Sequence, residues 1–202
     1  MGLWLAAKPL LLASRSASRR AVLAAAGIPL DITPADIDER GIEAQAGAQA
    51  PEAIATMLAH AKALAIAGQN RDRLVVGADQ TLALGPVLFT KPQDMSAARE
   101  QLRRLRGCTH ELHSAVVVAS GQTVLFQSCA TARLTMRDFS DRFLDAYLEA
   151  AGSAVTASVG GYQVEGLGIT LFDRIEGDHF TILGLPLLPL LDYLRRAGYL
   201  AL

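Results

Sequence analysis

The run Leu74-Val75-Val76-Gly77-Ala78 is short, unbroken and apolar, and it ends on a carboxylate, Asp79, followed by Gln80 and Thr81. Such a run lacks the alternation of a half-solvated strand and is too short for a helix. It reads as a strand buried on both faces, which requires a sheet with helices packed on either side. In open α/β sheets ligands bind beyond the carboxyl ends of such strands. Asp79 at that end has two readings, a group facing a ligand crevice or a cap for the next turn. The segment Leu82 to Phe89 reads as two short strands about Gly85-Pro86, a hairpin that would return Thr90-Lys91-Pro92 beside Asp79. An acid and an ammonium would then share one rim.

A chain of 202 residues suits one α/β domain spanning residues 1–202, with ample length to bury a core. Hydrophobic residues make up 51% of it, yet no run approaches the roughly 18 apolar residues of a membrane span. Lys8 and Pro9 interrupt the apolar start, and no basic segment precedes it, so a secretory leader is not expected and the chain is read as cytoplasmic. The formal net charge of -1 gives no general attraction to a nucleic-acid backbone, so any basic site must be local. Cys108 and Cys129 have no second pair with which to build a redox or metal motif. His110 and His113 are better explained as residues of a strand than as zinc ligands.

Leu10 to Ala13 is a further buried strand, leading through Ser14-Arg15-Ser16-Ala17-Ser18-Arg19-Arg20 into a helix, Ala21 to Ala26, closed by Gly27. Hydroxyls and unpaired amides at the positive end of a helix form an anion site, and arginine suits bidentate contact with phosphate oxygens. The alternative is a solvated basic turn. Leu30 to Pro34 reads as a second strand. The acidic loop Asp36 to Glu39 can hold a hard cation through oxygen or simply be solvated. Pro51 to Gly68 reads as a helix with Ile54, Met57, Leu58, Ala61 and Leu64 inward; Lys62 lies beside that stripe, where a snorkelling side chain is the plain interpretation. Ser96 should cap a helix from Ala97 to Arg106. Thr109 to Val118 and Thr123 to Met136 read as an antiparallel pair, and Ser140 opens a helix to Ala150. Ile169 to Phe172 and His179 to Ile182 are expected as paired strands across Glu176-Gly177-Asp178, before a last helix from Leu187 to Ala197. Gly166-Leu167-Gly168 is no dinucleotide fingerprint, and its glycines suit a bend or a close approach to a ligand.

Several of these pieces together resemble the Maf family, the septum-formation-inhibitor-like nucleoside triphosphate pyrophosphatases. They are Leu12-Ala13-Ser14-x-Ser16-x-x-Arg19-Arg20, Asp38-Glu39, Ala61-Lys62-Ala63, Gly77-Ala78-Asp79-Gln80 and Lys91-Pro92. Leu105-x-Gly107-x-Thr109-His110, Glu165-Gly166-x-Gly168, Ile175-Glu176-Gly177 and Gly184-Leu185-Pro186-Leu187 continue the series in the family's order. The resemblance implies an α/β fold with a curved mixed β-sheet and flanking helices, two lobes around a central cleft as in Maf and ITPase-like proteins, often as a homodimer. It implies cleavage of a nucleoside triphosphate between its α- and β-phosphates with a divalent cation, Mg²⁺ or Mn²⁺. Carried over by position, Asp79 is the general base, with Lys62 and Lys91 as catalytic cations. Ser14, Ser18, Arg19, Arg20, Gln80 and Glu165 lie on the substrate side, and Glu39 joins Asp79 on the metal side.

Gln80 and Glu165 are similar to the branch acting on 7-methyl-GTP, whereas the dTTP/UTP branch tends to carry Thr and Gln there. The 7-methyl-GTP branch commonly has Trp at the position of Ser18, so a pyrimidine substrate stays an alternative. The family commonly has Pro at Ala17 and Glu at Ala61. A non-catalytic nucleotide-binding regulator of division is the alternative of another class, but a sensor has no need of Asp79, Lys62 and Lys91 together. A P-loop enzyme is excluded, because no Gly-x-x-x-x-Gly-Lys-Ser/Thr sequence occurs.

Overall fold

The structure, a computed structural model, describes residues 2–47 and 49–201. Seven strands form one mixed sheet in the order β2 (Leu30–Ile32), β1 (Leu10–Leu12), β3 (Val75–Leu84), β5 (Thr109–Ser120), β6 (Thr123–Met136) and β7 (Phe172–Glu176), with β4 (Val87–Phe89) on β3. β1 runs parallel to both β2 and β3; β4 and β7 are antiparallel to β3 and β6. Helices α1 (Ala17–Ala25), α2 (Glu39–Ala46), α3 (Pro51–Ala67), α4 (Met95–Leu105), α5 (Asp141–Ala151), α6 (His179–Ile182) and α7 (Leu187–Arg196) flank it. The described residues divide into two compact units: those within 2–80, 113–130 and 178–201 form the first, and residues 81–112 and 131–177 the second.

In the first unit the period-two geometry of strands sorts side chains to two cores. Leu10, Leu12, Val76, Ala78, Val116 and Val118 pack with Val22 and Leu23 of α1 and Leu187, Leu190 and Leu194 of α7. Leu11, Ala13, Val75, Ala115 and Val117 pack on the other side with Ala55, Ala59, Ala63, Ile66 and Ala67 of α3. The alanines of α3 recur every fourth residue, giving a smooth face that comes close to the sheet. The buried stripe is thus rotated from the one expected: Ala55, Ala59 and Ala63 are buried, and Met57, Ala61 and Leu64 only partly so. Ile54 and Leu58 instead pack against Ala46 of α2.

In the second unit Leu82, Ala83 and Leu84 pair with Phe89, Leu88 and Val87, so the expected hairpin about Gly85-Pro86 forms. β6 pairs with β7 through a register shift between Thr135 and Met136. His110, fully buried on β5, bonds through Nε2 to the Tyr162 hydroxyl at 2.6 Å, beside the Phe172 ring.

Further expectations change. Ile169 to Leu171 is no strand but the end of a short 3-10 helix, Leu167–Leu171, and β7 begins only at Phe172. β3 does not stop at Ala78 but continues to Leu84, placing Asp79 inside a strand. A polar residue need not end a strand when its side chain is satisfied, and Asp79 and Gln80 both find partners. The acidic loop is in part a helix: the Asp38 carboxylate accepts from the Gly41 amide at 2.9 Å and starts α2. α4 begins two residues early because Asp94 takes the capping role from Ser96, accepting from Ala97 at 2.8 Å. The stretch from His179 to Ile182 is helical, since Asp178 accepts from the Thr181 amide at 2.9 Å and from its hydroxyl at 3.1 Å. Its apolar alternation resembles a strand, and the local cap overrides it.

Candidate functional site

The sequence marked ten residues, and the first unit brings five of them together: Ser14, Arg19, Glu39, Lys62 and Asp79. Their meeting depends on Gly77. Gly77 and Asp79, two apart in β3, share one strand face, the face turned to α3. A Cβ on Gly77 would lie 2.3 Å from the Ala59 carbonyl and 2.5 Å from the Ala63 amide. Backbone therefore touches backbone there, and Lys62, one residue before Ala63, is delivered to Asp79. The Lys62 ammonium bonds Asp79 Oδ1, and at 2.9 Å it also pairs with Glu39 Oε1 from the first residue of α2. Lys62 and Asp79 are both buried, whereas Glu39 is half open to solvent. A snorkelling lysine would carry its head to water; this one carries it inward, which needs a partner of opposite charge.

Arg19 is held from the opposite side of the strand. Helix α1 begins at Ala17, four residues earlier than expected, because Ser16 caps it by accepting from the Arg19 amide at 3.3 Å. Arg19 therefore lies in the first turn and is buried. Its Nε donates to the Gly184 carbonyl at 2.8 Å, and its Nη1 to the Ala78 carbonyl at 2.8 Å and Ser14 Oγ at 3.2 Å. Burial pushes the guanidinium's pKa down, opposed by the negative charges of Asp79 and Glu39. The bidentate grip expected of this arginine is not available while these bonds hold, and Nη2 is the nitrogen outside them.

Ser18 is half-buried, and Arg20, like Arg15, is exposed on or beside α1. Gln80 lies on the other face of β3 from Asp79 and bonds Ser114 and the carbonyls of Thr181 and Ile182. Lys91 and Glu165 belong to the second unit, and each is exposed there, Lys91 after β4 and Glu165 in the turn before Gly166.

Two contributors were missed from sequence. Gly77 reads as one more small residue of an apolar strand, and only the alanine ladder of α3 gave a sign that backbones meet there. Glu43, one helical turn after Glu39, has its carboxyl pushed up by burial and then by the charges of Asp79 and Glu39. Its four-residue spacing from Glu39 is the signal, and it has meaning only where Glu39 starts a helix and not a loop.

Among the described residues no group of three or more His, Cys, Asp or Glu side chains is arranged to hold a metal ion. Glu39 and Asp79, bridged by Lys62, nevertheless give two carboxylates on one rim. That donor set suits a cation bound partly by substrate phosphates, as Mg²⁺ commonly is, and not one held in an all-protein cage.

The family model described as Maf-like protein matches residues 9–197. A nucleoside triphosphate pyrophosphatase of Rhodopseudomonas palustris is 56% identical over 201 residues, covering 100% of both chains. A nucleoside triphosphate pyrophosphatase of Bradyrhizobium diazoefficiens is 54% identical, again over 100% of both. A 7-methyl-GTP pyrophosphatase of Brucella abortus is 50% identical over 190 residues, 93% of this chain and 95% of its own.

Proposed function

This chain belongs to the Maf-like protein family, and from that premise we propose that it hydrolyses nucleoside triphosphates between the α- and β-phosphates, releasing a monophosphate and pyrophosphate. The observation that carries the reading is the buried Lys62–Asp79 pair flanked by Arg19. Lys62 occupies Asp79 Oδ1, so Oδ2 is the oxygen that takes the proton of the attacking water. As water adds at phosphorus, the bond to the α–β bridging oxygen breaks and pyrophosphate leaves with the electron pair. Such displacements are helped chiefly by positioning and by cations against developing charge. Lys62 and Arg19 supply two such charges, Arg19 through Nη2. Ser14, Ser18, Arg20 and Lys91 are further phosphate contacts.

A divalent cation, Mg²⁺ or Mn²⁺, would be held by Glu39 and Asp79 together with the substrate's phosphate oxygens, and would neutralise phosphate charge. Glu165 is assigned to the base, favouring a guanine ring through its N1–H edge and a 7-methylguanine ring through its positive charge as well. The 50% identity to a 7-methyl-GTP pyrophosphatase supports that preference. The working form is taken to be a homodimer.

The test is kcat/KM for 7-methyl-GTP, GTP, dTTP and UTP with wild type and Glu165→Gln. The wild type should favour the guanine substrates by roughly 2- to 12-fold, the net worth of one hydrogen bond to an exposed carboxylate, and the variant should narrow that gap. A wild type preferring dTTP or UTP would remove Glu165 from base recognition and favour the pyrimidine alternative.

A further inference from the structure

Asp79 and Gln80 are adjacent in β3, and adjacent strand residues point to opposite faces of a sheet. Asp79 shares its face with Val75 and Gly77, against α3. Gln80 shares its face with Val76 and Ala78, on the side of α1 and α7. There the two N–H groups of the Gln80 amide are shared among Ser114 Oγ at 2.9 Å and the carbonyls of Thr181 and Ile182, each at 3.1 Å. Ser114, fully buried on β5, donates its own proton to the Thr181 carbonyl at 2.7 Å. These carbonyls close α6. Two residues beyond Ile182, the Gly184 carbonyl accepts from Arg19 Nε at 2.8 Å. Gly184 adopts φ +88°, and a Cβ there would sit 3.3 Å from that same Nε. One short turn is thus fastened by Gln80 and Ser114 and seats Arg19 in turn.

We propose that Gln80 and Ser114 are positioning residues: they fix the Thr181–Gly184 turn and, through it, the Arg19 guanidinium, so that Gln80 affects all triphosphates alike and does not read the base. This rests on Arg19 being a phosphate cation of the pyrophosphatase. Without the Gln80 amide, the Ile182 carbonyl loses its side-chain donor, and the Thr181 carbonyl is left with Ser114 Oγ at 2.7 Å and the Gly184 amide at 3.0 Å. The turn then relaxes and Arg19 loses its fixed direction.

The experiment uses the full chain as wild type, Gln80→Ala, Gln80→Met, Ser114→Ala, Arg19→Ala and the Gln80→Ala/Arg19→Ala double variant. Binding of inorganic tripolyphosphate, which has no base, is measured by calorimetry beside kcat/KM for GTP, 7-methyl-GTP, dTTP and UTP. Gln80→Ala should weaken tripolyphosphate roughly 5- to 10-fold, the worth of one or two hydrogen bonds, and lower kcat/KM for all four nucleotides by a common factor. Gln80→Met, which keeps the volume, should behave the same if the alanine variant folds poorly, and Ser114→Ala should follow in the same direction. In the Arg19→Ala background Gln80→Ala should cost less than about 2-fold more, because residues acting through one another are not additive. Unchanged tripolyphosphate binding with a loss confined to one base would overturn the proposal, as would full additivity or a lower Tm with unaltered binding. A wild type that binds tripolyphosphate but cleaves no nucleotide would remove the pyrophosphatase reading, and the binding series would still decide the part played by Gln80.

Discussion

Asp79 and Arg19 divide the labour of the proposed reaction, and their substitutions should fail differently. Asp79→Asn keeps the shape but cannot take a proton, so kcat should fall about 10²- to 10⁴-fold, the usual worth of a general base, while tripolyphosphate binding stays within a few-fold. Activity above a tenth of wild type would remove Asp79 from that role. Arg19→Ala should instead weaken all nucleotides together, since it takes away a charge common to every triphosphate contact. A loss restricted to one base would contradict it. The identity of these residues was legible in the sequence because acid, lysine and arginine occur at the family's spacing. Their geometry was not: the same string permits Asp79 to cap a turn, Lys62 to snorkel and Arg19 to point outward. Burial and hydrogen-bond partners decide between those states, and both are properties of the folded chain.

The packing of α3 on β3 is the step by which secondary structure becomes a site. Gly77→Ala would push a methyl group into backbone atoms of Ala59 and Ala63. Overpacking of this kind costs about 1–3 kcal/mol, or roughly 2–12 °C in Tm for a chain of this size. Calorimetry and turnover should fall together, as α3 lifts away and Lys62 loses Asp79; a stable, fully active variant would mean that this contact does not set the pair. In the second unit, burial pushes His110 down to about 4. The unfolded chain, with an ordinary histidine near 6.5, then binds the proton more readily than the folded one. Stability from this group is complete above about pH 6.5 and is lost as pH falls toward 4, by up to about 3 kcal/mol. His110→Gln, which can still bond Tyr162, should flatten that acid-side decline in denaturation midpoints measured from pH 7 to 4. An unchanged slope would assign the decline to other groups. Helices with strong apolar periodicity and side-chain caps, such as α5 behind Ser140, were read within a residue or so. α2 and α6 were not, because each depends on a single aspartate cap at the head of a short segment.

The chain as a unit has almost no net charge, so attraction to a triphosphate must come from the local cations and not from a general field. No helix among the described residues is long and apolar enough to cross a membrane. The α/β class and most of the order of elements, α2 and α6 excepted, could be derived from alternating short apolar runs and capped helices. The division into two compact units could not, because β3, β5 and β6 each contribute to both and no linker marks the boundary. Sedimentation should give twice the 21.4 kDa chain mass if the homodimer forms, and a single-chain mass at working concentration would exclude it. The measurement that bears hardest on the proposed chemistry is the product pair. Wild type with a nucleoside triphosphate and Mg²⁺ or Mn²⁺ should yield monophosphate and pyrophosphate in equal amounts, and Asp79→Asn should yield neither at more than about a hundredth of that rate. Orthophosphate with a nucleoside diphosphate, or pyrophosphate released undiminished by the variant, would contradict it.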